Sequence, residues 1–228
     1  VMAGYVARGV PLEDLLAASF MAAPGGLLMA KLMEPETDQP VEPAPGEKLA
    51  SEQYINFIDA AATGAMNGLQ MVGAIGAMLL AFIALIAMLN GMLEAAGALV
   101  GLEQLTLERV LGGLLQPLAW ALGVPWNEAQ LAGSLIGQKF ILNEFVAYVS
   151  HSEIADQLSP HAQAVVIFAL CGFANLSSIA ILLGGLGAVA PSRRDDISRY
   201  GMRALIAASL SNLMSAALAG FFLSLGGL

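Results

Sequence analysis

Long uncharged runs broken by short polar stretches set the pattern of this chain. From Leu15 to Ala30 no residue carries a formal charge. Pro11, Glu13 and Asp14 make a helix start, and Lys31 closes the run. The pattern predicts one membrane-spanning helix over roughly Pro11 to Met33. Pro24-Gly25-Gly26 inside it predicts a kink or a close neighbour. Glu34 to Ala50 holds Pro35, Pro40, Pro43 and Pro45 among five acids, so it reads as an exposed loop. Ser51 to Thr63 is amphipathic, with Tyr54, Ile55 and Ile58 on one side, which suits a helix lying on the membrane surface.

Between Asp59 and Glu94 there is again no charge. That run exceeds the ~20 residues needed to cross the hydrocarbon. It predicts one long helix, with small residues such as Gly64, Gly68 and Gly73 allowing close contacts. Leu102 to Leu122, followed by Pro125 and Trp126, reads as a second surface helix, because Trp120 and Trp126 suit the membrane–water interface. Asn127 to Gln157 has two apolar flanks around Gln138, Lys139, Asn143 and Glu144. Each flank is only about 11 to 14 residues, too short to span, and the pair predicts a re-entrant hairpin. Pro160 to Ala190 is long enough to span, but Gly172-Phe173-Ala174-Asn175-Leu176-Ser177-Ser178 interrupts it. A broken transmembrane helix is expected there. Ala204 to Leu228 is a last uncharged span.

The fold class is therefore an all-α polytopic membrane protein. Its expected segments are 1–33 (the end of one helix plus a spanning helix), 34–50 (acidic loop), 51–63 (interfacial helix) and 64–99 (long helix). They continue as 100–125 (interfacial helix), 126–158 (hairpin), 159–190 (broken helix) and 191–228 (loop and last helix). Arg193, Arg194, Arg199 and Arg203 gather around one short loop, which the positive-inside rule places in the cytoplasm. The hairpin and the broken helix then enter from outside, and the acidic loop after Met33 lies inside.

Composition narrows the class. Of 228 residues, 57% are apolar and only 12% charged, against about 25% charged in ordinary soluble domains. Mean hydropathy is +0.74. A net charge of -9 argues against nucleic acid as a partner. One cysteine, Cys171, excludes an internal disulfide framework and any cysteine-based metal cluster. His151 and His161 are the only histidines, too few for a zinc site, and near the outer surface they are expected to be solvated. Val1 to Ala7 reads as the end of an apolar helix, so the chain is expected to be the back part of a longer protein.

The polar breaks carry the candidate chemistry. Secondary transporters place solutes at the midplane, between half-helix ends and unwound backbone. Glu144 is the sharpest candidate, since an acid at membrane depth is costly and marks function. Its carboxylate could accept hydrogen bonds from two neighbouring hydroxyls of a sugar; the competing readings are an ion pair with Lys139 and a shallower hairpin. Asn175 and Ser178, three apart, suit either a polyhydroxylated substrate or helix–helix hydrogen bonding. Phe173 offers a flat face against a ring or simple packing. Asn143 either touches substrate or caps a hairpin arm. No nucleophile with a base, and no metal pair, is recognisable, so an enzyme is not expected.

The run Gly137-Gln138-Lys139-Phe140-Ile141-Leu142-Asn143-Glu144-Phe145-Val146-Ala147-Tyr148 resembles the signature G-x-K-x-x-x-N-E-F-V-A of concentrative nucleoside transporters. Cys171 to Ala180 followed by Gly184-Gly185-Leu186-Gly187, and Ala17 to Gly26, are similar to that family too. The resemblance covers the whole chain. It implies ion-coupled uptake of nucleosides such as uridine across the bacterial inner membrane, with sodium or a proton as the coupling ion and no other cofactor. It implies a homotrimer in the lipid bilayer, with the long helix around Asn67 to Leu93 in the scaffold. It maps ribose contacts to Glu144, Asn175 and Ser178, and sets Phe173 against the base. The base-reading hairpin and the ion site of the family are expected before Val1. The alternative is a hairpin-containing carrier for another small polar solute, such as a nucleobase or carboxylate.

Overall fold

The computed structural model describes residues 2–37, 55–99, 101–102, 105–175, 178–179 and 193–226. Among them there are eight α-helices and no strand. They are α1 (Met2–Val6), α2 (Leu12–Met33), α3 (Phe57–Leu99), α4 (Leu107–Ala121), α5 (Trp126–Ile141), α6 (Glu144–Ile154), α7 (Pro160–Leu170) and α8 (Arg194–Gly226). The chain divides into two compact units, Val1–Pro35 with Asn90–Leu228, and Glu36–Leu89.

The smaller unit is built on α3, an uninterrupted helix of 43 residues. Residues 57–63, expected to belong to a separate surface helix, continue directly into the long one. Nothing between them breaks a helix: Ala60 to Thr63 supply no proline or glycine. The acidic loop expected at 34–50, the start of that surface helix and the end of the second broken half lie mostly outside the described residues. Leu69, Val72 and Leu80 on α3 are exposed, as suits an apolar surrounding.

In the larger unit, α2 and α8 are long and apolar enough to cross a membrane. Glu13 and Asp14 in the first turn of α2 and Lys31 in its last complement the helix dipole. Pro24 lies inside the helix without ending it. Both helices turn large apolar side chains outward: Phe20, Leu27 and Leu32 on α2, Phe221, Phe222 and Leu225 on α8. The buried stripe of α8 is small or polar instead, with Ala207, Ser211, Asn212, Ser215 and Ala216. This is the reverse of a water-soluble helix and fits packing in lipid. The two helices pack closely where Gly25 faces Ser211; a methyl group on Gly25 would lie 2.6 Å from the Ser211 hydroxyl. An exposed ion pair of 2.5 Å between Arg203 and Glu34 sets the end of α2 beside the arginine-rich start of α8.

The core of this unit is α5. Every residue from Ala132 to Lys139 is buried. It packs chiefly on α4, where Gly112, Gly133 and Gly137 remove the side chains that would separate two backbones. A Cβ on Gly133 would fall 3.0 Å from the carbonyl of Gly112. Thr106 caps α4, and Asn90 of α3 ties its first turn down: Asn90 donates to Glu108 at 3.1 Å and accepts from the Leu107 amide at 2.7 Å. Glu128, in the first turn of α5, accepts from both the amide and the hydroxyl of Ser159, each at 2.9 Å. The chain leaving α6 therefore returns to where α5 began. Ser159 caps α7, and Pro160 sits at its first turn, where the missing N–H costs nothing.

Two interruptions shape the centre. The first is Leu142-Asn143 between α5 and α6, where Asn143 caps α6 by accepting from the Val146 amide at 2.9 Å. The second follows Leu170: residues 171–175 are not helical, and helix resumes at Ser178 and Ile179. Gly172 has φ 150°, a conformation L side chains rarely adopt, and the side chain of Asn212 on α8 occupies the space a Cβ would need.

Candidate substrate-binding site

The two interruptions face each other. Glu144, only 6% exposed, stands at the first turn of α6. There the helix dipole favours a negative charge. Its Oε2 accepts from Asn175 Nδ2 at 3.2 Å, and its Oε1 accepts from the Tyr5 hydroxyl at 3.3 Å. Asn175 is buried within the break after α7. Its Oδ1 accepts from the Ser178 amide at 3.0 Å and lies 3.0 Å from the Ser178 hydroxyl. The Ser178 hydroxyl also contacts the Phe173 carbonyl. Asn175 thus starts the resumed helix with one end of its amide and binds Glu144 with the other.

Three of the residues singled out from sequence, Glu144, Asn175 and Ser178, are therefore brought into one hydrogen-bonded group. Phe173 lies at its edge with its ring 62% exposed. Asn143 adjoins the group through the chain and uses its side-chain oxygen as the cap of α6. Lys139 forms no ion pair with Glu144: its Nζ has no hydrogen-bond partner although the residue is fully buried. It is nevertheless close enough to act on Glu144 electrostatically. Its nearest aromatic contact is the Phe140 ring, 5.1 Å from Nζ. Gln138 is engaged on both sides, donating to Ser134 and accepting from Ser150 at 2.8 Å.

Two placements depart from expectation. His151 is buried, where the sequence pattern suggested solvent. It is the fourth member of the stripe Glu144, Ala147, Tyr148 and His151, spaced i, i+3, i+4, i+7 along α6, and that face points inward. Tyr5 is the residue that sequence reasoning missed. Its ring stacks on Tyr148 with centroids 4.4 Å apart and lies 6.2 Å from Phe145. Tyr148 is anchored in turn by donating to the Ile167 carbonyl at 3.0 Å. The available signal was a lone hydroxylated aromatic in an otherwise apolar helix, which must find a partner when buried.

Chemically the group offers a carboxylate, an amide and a hydroxyl beside an exposed aromatic ring. That set accepts and donates hydrogen bonds to a polyol and gives a flat ring a surface to lie on. Among the described residues no three His, Cys, Asp or Glu side chains gather as a metal site. A separate cavity of about 360 Å³ lies between the end of α5 and α8, lined by apolar side chains such as Phe140, Leu205 and Leu213. It does not include the Glu144 group.

Known proteins match this chain throughout. The family described as "Na+ dependent nucleoside transporter C-terminus" matches residues 14–220. The "uncharacterized transporter YutK" of Bacillus subtilis is 53% identical over 96% of this chain and 55% of its own length. The "nucleoside permease NupC" of Helicobacter pylori is 46% identical over 99% of this chain and 54% of its own. The solved structure of CNTnw in an inward-facing substrate-bound state covers the whole chain and 54% of that protein, with 54% identity and a TM-score of 0.90. The chain spans about half the length of the curated relatives it matches.

Proposed function

Since this chain belongs to the Na+-dependent nucleoside transporter family, we propose that it carries the sugar-binding half of a protein that takes up nucleosides across the bacterial inner membrane, driven by sodium or a proton. The observation that carries this reading is the buried carboxylate of Glu144, held at a helix start by Asn175 from the facing break. Buried acids at membrane depth are functional by default.

In this reading α5 and α6 form a re-entrant hairpin. At ~1.5 Å per residue their 16 and 11 residues fall short of a ~30 Å hydrocarbon core. Leu142 in the first break and Ala174 and Asn175 in the second are buried, and irregular backbone at that depth is tolerated only against protein or water. Ribose hydroxyls bind Glu144, Asn175 and Ser178, with Asn143 at the margin, and the base lies on Phe173. The hairpin and the broken helix then move together to open the site to either side. The arginine-rich start of α8 faces the cytoplasm. The long helix α3 belongs to the scaffold and to the contact between subunits of a homotrimer.

Uptake of labelled uridine by the intact protein in proteoliposomes tests this, with and without a sodium gradient. Uptake that Glu144→Gln abolishes, and that excess uracil or a dicarboxylate fails to inhibit, is the expected result. Wild-type uptake by Glu144→Gln would sink the assignment, and inhibition by the free base would favour a nucleobase carrier.

A further inference from the structure

Glu144 is held from two sides, and only one of the two partners belongs to the motif that drew attention to it. Asn175 reaches Oε2 from the break after α7. The Tyr5 hydroxyl reaches Oε1 from α1, 139 residues away in sequence. We propose that Tyr5 is a positioning residue for Glu144, fixing the plane of its carboxylate so that the acid selects a sugar with two adjacent hydroxyls. The proposal rests on the reading of Glu144 as the ribose-binding acid.

A carboxylate at the end of a two-carbon side chain turns easily about its last bond, which has a broad and roughly two-fold profile. One donor on one oxygen leaves that rotation partly free. Donors on opposite oxygens stop it. A carboxylate has about four lone-pair sites, two on each oxygen. Tyr5 takes one on Oε1 and Asn175 one on Oε2, and the carboxylate also draws on its own backbone amide, so only part of its accepting capacity stays open to a ligand. Two acceptors held side by side in a fixed plane match two hydroxyls on neighbouring carbons. A deoxy sugar leaves one of those acceptors unsatisfied in a buried place, which is the strong form of discrimination.

Tyr5 itself has little freedom. It is 7% exposed, and its ring is trapped against Tyr148 and Phe145. Tyr148 is pinned by its hydroxyl to the Ile167 carbonyl, one turn before the break. Packing of the ring thus holds the hydroxyl of Tyr5 toward Glu144.

The test compares affinities of the intact protein for uridine and for its two monodeoxy-ribose analogues, in wild type, Tyr5→Phe, Glu144→Gln and the double variant. Tyr5→Phe keeps the ring and its stacking and removes only the hydroxyl. We expect uridine affinity to fall about tenfold and the preference for uridine over the deoxy analogues to shrink by at least about threefold, with at most a small fall in the thermal midpoint in detergent. That preference is a ratio, so it does not depend on how much protein is folded. In the Glu144→Gln background, Tyr5→Phe should cost no further affinity. Unchanged uridine preference in Tyr5→Phe, or the same loss in both backgrounds, would overturn the positioning role. Wild-type behaviour of Glu144→Gln alone would overturn the underlying ribose reading instead.

Discussion

The side-chain amide of Asn175 donates to Glu144 across 3.2 Å, joining the break after α7 to the first turn of α6, 31 residues earlier. The same side chain accepts from the Ser178 amide at 3.0 Å. One residue therefore both restarts a helix and holds the buried acid. In the proposed reading, a sugar entering this site would meet groups that are already partly satisfied by one another.

Those two duties separate by substitution. Asn175→Asp keeps an oxygen for the Ser178 amide and puts a second carboxylate where Glu144 needs a donor. The helix start should survive, with a thermal midpoint near wild type, while uridine affinity falls more than about tenfold from like-charge repulsion and the lost bond. Asn175→Ala removes both duties and should lower affinity and midpoint together, a cap alone being worth about 1 kcal/mol. Calorimetric binding beside thermal unfolding of the same preparations distinguishes the two patterns.

Lys139 is fully buried with an ammonium that bonds to nothing. Lys139→Met keeps the length of the side chain and removes the desolvated charge, so the protein should be as stable or more stable. Glu144 then loses a nearby positive charge, and uridine binding should weaken several-fold. Stability and affinity moving in opposite directions identifies the lysine as functional; parallel losses would make it a packing residue.

Gly172 carries φ 150° and faces the Asn212 side chain. Gly172→Ala should destabilise by about 1–3 kcal/mol from backbone strain, and further through contact with Asn212. Adding Asn212→Ala should recover the contact part and leave the strain. The order of unfolding midpoints, wild type above the double variant above Gly172→Ala, checks this.

Gly137 meets the Leu111 side chain, with a Cβ placed 2.8 Å from Leu111 Cβ, whereas Gly133 meets backbone of α4. Both close approaches are to atoms that the backbone of α4 holds in place, so Gly137→Ala and Gly133→Ala should each lower the yield of folded protein. Leu111→Gly removes the Cβ that Gly137→Ala would meet, and should rescue the first and not the second. Yield of folded protein by size-exclusion chromatography in detergent reads both.

The helices and breaks of this protein were legible wherever a local pattern carried them. The uncharged run from Leu15 to Ala30 is α2. The polar middle of residues 127–157 is the break at Leu142-Asn143. Residues 171–175 after Leu170 are not helical, and part of the expected interruption lies outside the described residues. Glu144 stood out because a charge is conspicuous among apolar neighbours. Tyr5 was invisible for the opposite reason: its meaning comes from a residue 139 positions away, and no local spacing encodes that. His151 is buried because it lies seven residues after Glu144 on the inward face of α6, a phase that nearness to the outer surface does not reveal. From Phe57 onward the chain is one helix, because the amphipathic character of 51–63 marks a face and not an end.

The small and polar inner stripe of α8 has a consequence for how this sequence can vary. Contact between α2 and α8 at Gly25 and Ser211 gains nothing from expelling water if both helices are already in lipid. What holds them is fit, and fit is spoiled by a single methylene. What is inverted along α8 is thus the kind of residue each face accepts, large and apolar outside and small inside. Phe221, Phe222 and Leu225 on the outer face should exchange freely among large apolar residues. Ala207, Ser211 and Ala216 should reject even valine.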